Sequence, residues 1–173
     1  TVYFKAAQNM NLLGDNTIDI VVTSPPYPMI EMWDEIMSSQ NYEIKKAFEE
    51  NKPRQAFELM HQELDKVWTE CWRVLKEGAF LCINIGDATR TIAGEFALYN
   101  NNTRIIQACE KLGFTNLPNI LWKKTTNAPN KFMGSGMLPC GAYVTLEHEW
   151  ILIFRKGSKR SYKKASEKDT RRD

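Results

Sequence analysis

One stretch constrains this chain more than any other: Ile18 to Tyr27, reading Ile-Asp-Ile-Val-Val-Thr-Ser-Pro-Pro-Tyr. The β-branched run Ile20-Val21-Val22 predicts a strand buried on both faces of a parallel sheet. Pro25 and Pro26 then end it, because neither can donate to a sheet ladder and each restricts the residue before it. Ser24, two stiff peptide units and the Tyr27 ring are thereby held at the carboxyl end of a strand, where open α/β sheets bind their ligands.

The chemistry of that group follows from its donors and acceptors. The Ser24 hydroxyl and the carbonyl of the Ser24-Pro25 unit can accept both hydrogens of a planar amino group. Tyr27 offers a flat face for the ring that carries the amine. The bland reading of the same residues is a strand followed by a Pro-Pro turn with no chemistry.

At 173 residues the chain is one ordinary domain with room for a core. No apolar run approaches membrane-spanning length, and no signal peptide is expected. Cys71, Cys82, Cys109 and Cys140 form no Cys-x-x-Cys pair, and His61 and His148 are the two histidines. No metal site is expected, and reduced thiols are the default. Charge is uneven: from Arg155 to Asp173 nine basic residues face three acidic ones, +6, while 14 basic against 18 acidic elsewhere give −4. A basic tail on a slightly acidic body suits a polyanionic partner or a solvated terminus equally.

In chain order, Val2-Tyr3-Phe4 is a short strand candidate, and Leu12 to Asn16 is turn chemistry. Tyr42 to Lys52 reads as a short surface helix or loop. Pro53 suits a helix start; Phe57, Met60, Leu64, Val67, Cys71 and Leu75 then recur at helical spacing up to Gly78. Trp68 and Trp72 are assigned to the core and His61 to the surface or core edge. Ala79 to Ile85 is a second buried strand ending in Gly86-Asp87, at the same edge as Ser24 if the two strands run parallel. Gly94 to Thr103 reads as an irregular connection, and Ile105 to Leu112 as a helix face ended by Gly113. Phe114 to Lys124 is a strand bent or at an edge because of Pro118. Thr125 to Tyr143 is a long loop in which Lys131, with Lys123 and Lys124, is a candidate to meet phosphates and Phe132 and Met133 to wedge or stack against a planar base, the bland reading being a flap. Thr145 to Phe154 is a last strand, where His148 is given a structural or hydrogen-bonding role in preference to that of a general base.

Thr23-Ser24-Pro25-Pro26-Tyr27 resembles the catalytic motif of S-adenosylmethionine-dependent amino-methyltransferases acting on DNA. The resemblance continues through Pro28 to Trp33, Cys82 to Arg90, Pro129 to Pro139 and Leu146 to Trp150, nearly to Gly157. It implies an α/β fold, a Rossmann-like methyltransferase sheet flanked by helices. It implies S-adenosyl-L-methionine as cofactor, with Ser24, Pro25, Pro26 and Tyr27 catalytic and Thr23 and Asp87 toward the cofactor. The substrate implied is double-stranded DNA with a flipped target base. The setting implied is a prokaryotic cytoplasm, with a cognate restriction endonuclease acting on the same site. The serine form is most often found in cytosine-N4 enzymes. Adenine-N6 transfer, an RNA or protein amide substrate, and a non-catalytic DNA-binding module are the rivals.

The chain lacks a Phe-x-Gly-x-Gly or Gly-x-Gly-x-x-Gly motif, and Ala6 or Ala7 stands where many relatives have an acidic residue. In a permuted group of the family the catalytic half comes first and the cofactor glycines come late. Residues 1–157 are therefore expected to be the catalytic portion. Residues 158–173 are expected to be a basic, flexible tail leading to a missing cofactor-binding segment. The portion alone is expected to be inactive.

Overall fold

The computed structural model describes residues 2–124 and 146–161. Strand β1, Ile18–Thr23, pairs in parallel with β2, Leu75–Ile85, so that Val21 lies beside Leu81 and Thr23 beside Ile83. Both strands end at the same edge, as the sequence predicts. Beyond β2 the sheet turns antiparallel. The last strand, β6 (His148–Lys156), lies between β2 and β5 (Phe114–Lys123), giving the order β1-β2-β6-β5.

The expectation that Ile20 to Val22 is buried on both faces is corrected. Ile20 is 55% and Val22 75% exposed. Side chains alternate along the strand, and β1 is an edge strand of this sheet. Leu81, Ile83, Ile85, Leu152 and Phe154 are buried, and helices α3, Pro53–Val74, and α4, Asn101–Leu112, pack on the sheet. Ile20, Val22, Phe80, Ile120 and Trp122 are exposed, and the pairing places them together on the opposite face. A run of β-branched residues says that burial is favourable, not what covers each side.

Between β1 and α3 the chain makes a 3-10 turn, Glu31–Trp33, then α1, Asp34–Gln40, and α2, Tyr42–Glu49. The Asn41 side chain caps α2 by accepting from the Glu43 amide. Helix α3 starts at Pro53 as predicted and buries Met60, Leu64, Trp68 and Cys71. It stops at Val74, four residues before the predicted stop at Gly78. The reason is tertiary: the Lys156 ammonium donates to the freed carbonyls of Trp72 and Leu75 and to Asn16 Oδ1. Those carbonyls belong to the set that a helix end leaves without partners. The chain runs directly into β2, where Gly78 takes φ +71°.

Three other readings are corrected. His61 is fully buried, not at the surface. Val2-Tyr3-Phe4 forms no strand and is exposed. The stretch read as an irregular connection contains β4, Glu95–Tyr99, which makes a hairpin with β3, Ala88–Ile92, and it also contains the first turn of α4. The hairpin turn is Ala93-Gly94, both at positive φ, the two-residue geometry that matches strand twist. Ala93 in place of the usual asparagine hid it. Helix α4 ends at Gly113 in the left-handed conformation, as predicted. Pro118 falls in the register shift between Leu117 and Ile120 on the edge strand β5, also as predicted. The loop read over residues 125–143, with Lys131, Phe132 and Met133, lies outside the described residues.

Candidate active site

The site grows out of the two parallel strand ends. After β1, Ser24 is exposed, Pro25 and Pro28 are buried, and Thr23, Pro26 and Tyr27 are half-buried. The chain folds back through an Ile30 amide bond to the Tyr27 carbonyl and a buried Met29 at φ +66°. That φ is uncommon for a residue with a side chain and costs on the order of 1 kcal/mol or more. It persists because neighbours hold it. Asn101, at the start of α4, donates to the Pro28 carbonyl at 3.0 Å and to the Gly86 carbonyl at 2.9 Å. The turn after β1 and the turn after β2 are thus tied by one buried side chain.

His61 holds Asn101 in place, its Nε2 lying 3.0 Å from Asn101 Oδ1. Since both Asn101 amide hydrogens are committed, Oδ1 accepts and His61 Nε2 carries the proton. Burial pushes the His61 pKa down to about 4, outweighing the bond to Asn101. His61 is therefore a neutral structural donor at physiological pH.

Tyr27 meets three polar partners. Its hydroxyl is 3.2 Å from Ser24 Oγ and 3.0 Å from Glu149 Oε2, and Asn84 Nδ2 donates to it at 2.7 Å. Asn84 also donates to Glu149 Oε2 at 2.6 Å, while Lys124 Nζ sits 3.2 Å from Glu149 Oε1. Burial raises the Tyr27 phenol, Ser24 and Asn84 oppose it, and Glu149 adds to the rise. Burial also disfavours the Glu149 carboxylate, but donation from Asn84, Lys124 and Tyr27 outweighs it and holds the carboxyl below its usual range. Gly86 completes the seat. A Cβ built there would lie 3.2 Å from Tyr27 Cε2 and 3.4 Å from Glu149 Cγ. This is a close approach that only glycine allows without movement.

Of the predicted site residues, the structure brings Thr23, Ser24, Pro25, Pro26 and Tyr27 together at one edge. Asp87 lies at that edge after β2, but its oxygens are engaged. Oδ1 accepts from the Asn102 amide, and Oδ2 accepts from Asn102 Nδ2 and from Trp150 Nε1 at 3.3 Å. Lys124, considered for a DNA phosphate, pairs with Glu149 and lies over the Trp122 ring. His148 packs edge-on against Trp150. Sequence reasoning missed Glu149, Asn84 and Asn101. The one signal was that Asn84 is a polar residue within the apolar end of β2. Cys71 is pushed by burial up to about 12 and Cys82 is raised the same way, so neither is a ready nucleophile. Among the described residues no His, Cys, Asp and Glu group is placed to hold a metal. No described helix is long and apolar enough to cross a membrane.

Known proteins resemble this chain in sequence and in fold. The chain is 52% identical to the type II methyltransferase M.MjaI of Methanocaldococcus jannaschii, over 94% of this chain and 57% of that protein. It is 50% identical to the type II methyltransferase M.MthZI of Methanothermobacter thermautotrophicus, over 99% of this chain and 49% of that protein. The chain thus spans about half the length of the curated relatives it matches. Among solved structures it superposes on a DNA modification methylase of Thermus thermophilus in complex with S-adenosyl-L-methionine. That match has a TM-score of 0.63 and 28% identity, over 93% of this chain and 56% of that one. The PvuII cytosine-N4-specific DNA methyltransferase shares the fold, with a TM-score of 0.57 and 16% identity, over 86% of this chain and 46% of that one. A DNA methylase family model matches residues 18–173, and the chain belongs to the N6/N4 DNA methylase family.

Proposed function

We propose that this chain is the catalytic portion of a site-specific DNA amino-methyltransferase of a restriction-modification system, using S-adenosyl-L-methionine and acting on cytosine N4. The observation that carries the reading is Ser24 Oγ, exposed at the end of β1 and backed by a Tyr27 ring whose hydroxyl is anchored on three sides. A flipped base stacked on Tyr27 brings its exocyclic amine to the Ser24 oxygen and the adjacent backbone carbonyl. Acceptors at both N–H groups draw the nitrogen toward a nucleophilic geometry. With the cofactor bound, the amine nitrogen would displace S-adenosyl-L-homocysteine from the methyl carbon, the N–C bond forming as S–C breaks and one amine proton passing to solvent, so no covalent adduct with the protein is required. The raised thiols described above are in keeping with that route.

The described residues fit the amine side of this reaction better than the donor side. Asp87, the expected cofactor contact, spends both oxygens on Asn102 and Trp150. We assign the cofactor's principal pocket to the part of the family's architecture that this chain does not match in its longer relatives. When bound, the cofactor supplies an activated methyl group. The residues of this chain bind and orient the amine. The exposed apolar face bearing Ile20, Val22 and Phe80 is where that remaining part is expected to pack. The family model spans both N6 and N4 chemistry, and Ser24 in place of an acidic or amide residue favours cytosine.

The test is methyl transfer to double-stranded DNA by the chain joined to the segment its relatives carry beyond the match. Nucleosides from the digested product are then identified. N4-methylcytosine is expected, lowered about a hundredfold or more by Ser24→Ala. N6-methyladenine would replace the base assignment, and no transfer would overturn the reading.

A further inference from the structure

We propose that Glu149 and Asn84 are positioning residues that fix the hydrogen-bond polarity of Ser24, making its oxygen an acceptor toward the substrate amine. The inference rests on the amino-methyltransferase reading and adds two residues to it.

The direction of each bond can be worked out from the far end. The Glu149 carboxylate is ionised and can only accept, so Tyr27 donates in their 3.0 Å contact. That uses the one hydroxyl hydrogen of Tyr27. Asn84 Nδ2 can only donate, so Tyr27 accepts at 2.7 Å. The amide cannot be turned round, because its oxygen would then face Glu149 Oε2 at the 2.6 Å now bridged by an N–H. One contact remains, Ser24 Oγ to Tyr27 at 3.2 Å. Tyr27 has no hydrogen left for it, so Ser24 donates. The one hydroxyl hydrogen of Ser24 thus points into the protein and its lone pairs face outward, where Ser24 is exposed.

The consequence concerns the electron pair that reacts. A serine free to turn its hydrogen outward would donate to the amine nitrogen and tie up the lone pair needed for attack. With the hydrogen held on Tyr27, the amine meets an acceptor only. Glu149 sits on β6 and Asn84 on β2, neither adjacent in sequence to Ser24, so the polarity is a product of strand order.

The phenol of Tyr27 reports this network without any turnover. Its ionisation is followed by tyrosine-labelled NMR in the chain, with the charged groups facing it, Glu149 directly and Lys124 through Glu149, held in view. Glu149→Gln removes the negative charge that favours the neutral phenol, and the acid constant of Tyr27 should rise about tenfold, the scale of making a charged hydrogen bond neutral. Asn84→Ala removes a donor that stabilises the phenolate, and the constant should fall. Opposite signs are the signature, since simple loosening and hydration of the site would raise the acid constant in both. In the completed enzyme, Tyr27→Phe keeps the ring but frees Ser24. We expect kcat to drop roughly tenfold with DNA affinity and the cofactor KM within about twofold. Shifts of the same sign, or none, overturn the proposal even if the enzyme methylates DNA. Opposite shifts with no methyl transfer by the wild-type enzyme support the network and overturn the functional reading instead.

Discussion

At the residue scale the site is a matter of tenths of an ångström. Gly86 carries no functional group, yet it sets how close Tyr27 and Glu149 come to the end of β2. A methyl group there meets the Tyr27 ring at 3.2 Å and Glu149 Cγ at 3.4 Å, so the ring must move. Gly86→Ala is expected to lower kcat of the completed enzyme roughly tenfold, since misplacement of a reacting group is costly well below 1 Å. Unfolding stability should change by less than about 1 kcal/mol. Equal losses of activity and stability, read by denaturant titration beside the kinetics, would show that Gly86 serves the fold instead. Its neighbour Asp87 was legible as a polar residue at a strand end. Only the tertiary structure commits its oxygens to α4 and Trp150.

At the scale of elements, the pair His61 and Asn101 joins α3 and α4 to both strand ends, and it makes stability depend on pH. The His61 pKa is about 4 in the fold against about 6.5 unfolded. Between these values the unfolded chain takes up a proton that the folded one refuses. The His61 contribution is therefore complete above about pH 6.5 and is lost as pH falls toward 4. In total it amounts to about 3 kcal/mol. Wild-type stability measured by urea unfolding should fall between pH 6.5 and 4.5, and His61→Gln should flatten that part of the curve. A wild-type profile that is flat there would mean that the buried imidazole is not held neutral. Carboxylates such as Glu58, held low by Arg104, add their own losses below this window.

On the scale of the whole molecule, the sheet has a covered face and an apolar exposed one, and the family relatives are about twice as long as the matched region. The first measurement at this scale is calorimetric titration with S-adenosyl-L-methionine, of the chain alone and of the chain joined to the remaining segment. No binding to the chain alone and binding when joined is the expected result. Tight binding to the chain alone would place the whole cofactor site within these residues.

The sequence by itself determined the local events: β1 and its proline stop, the start of α3 at Pro53, the end of α4 at Gly113, and the placing of the Ser24-to-Tyr27 group, on which the proposed amine chemistry rests, at a strand end. Each depends on a backbone rule or a side-chain inventory that acts within a few residues. Tertiary structure decided the rest. That Ile20 and Val22 lie on an exposed face depends on strand order and on which helices follow. The end of α3 at Val74 depends on an ammonium from Lys156, distant in the chain. The partners of Tyr27 come from β2 and β6, brought together by pairing of Asn84 with Ile151 in neighbouring strands. Such groupings are set by long-range contacts, and their polar members carry no periodicity by which a sequence could announce them.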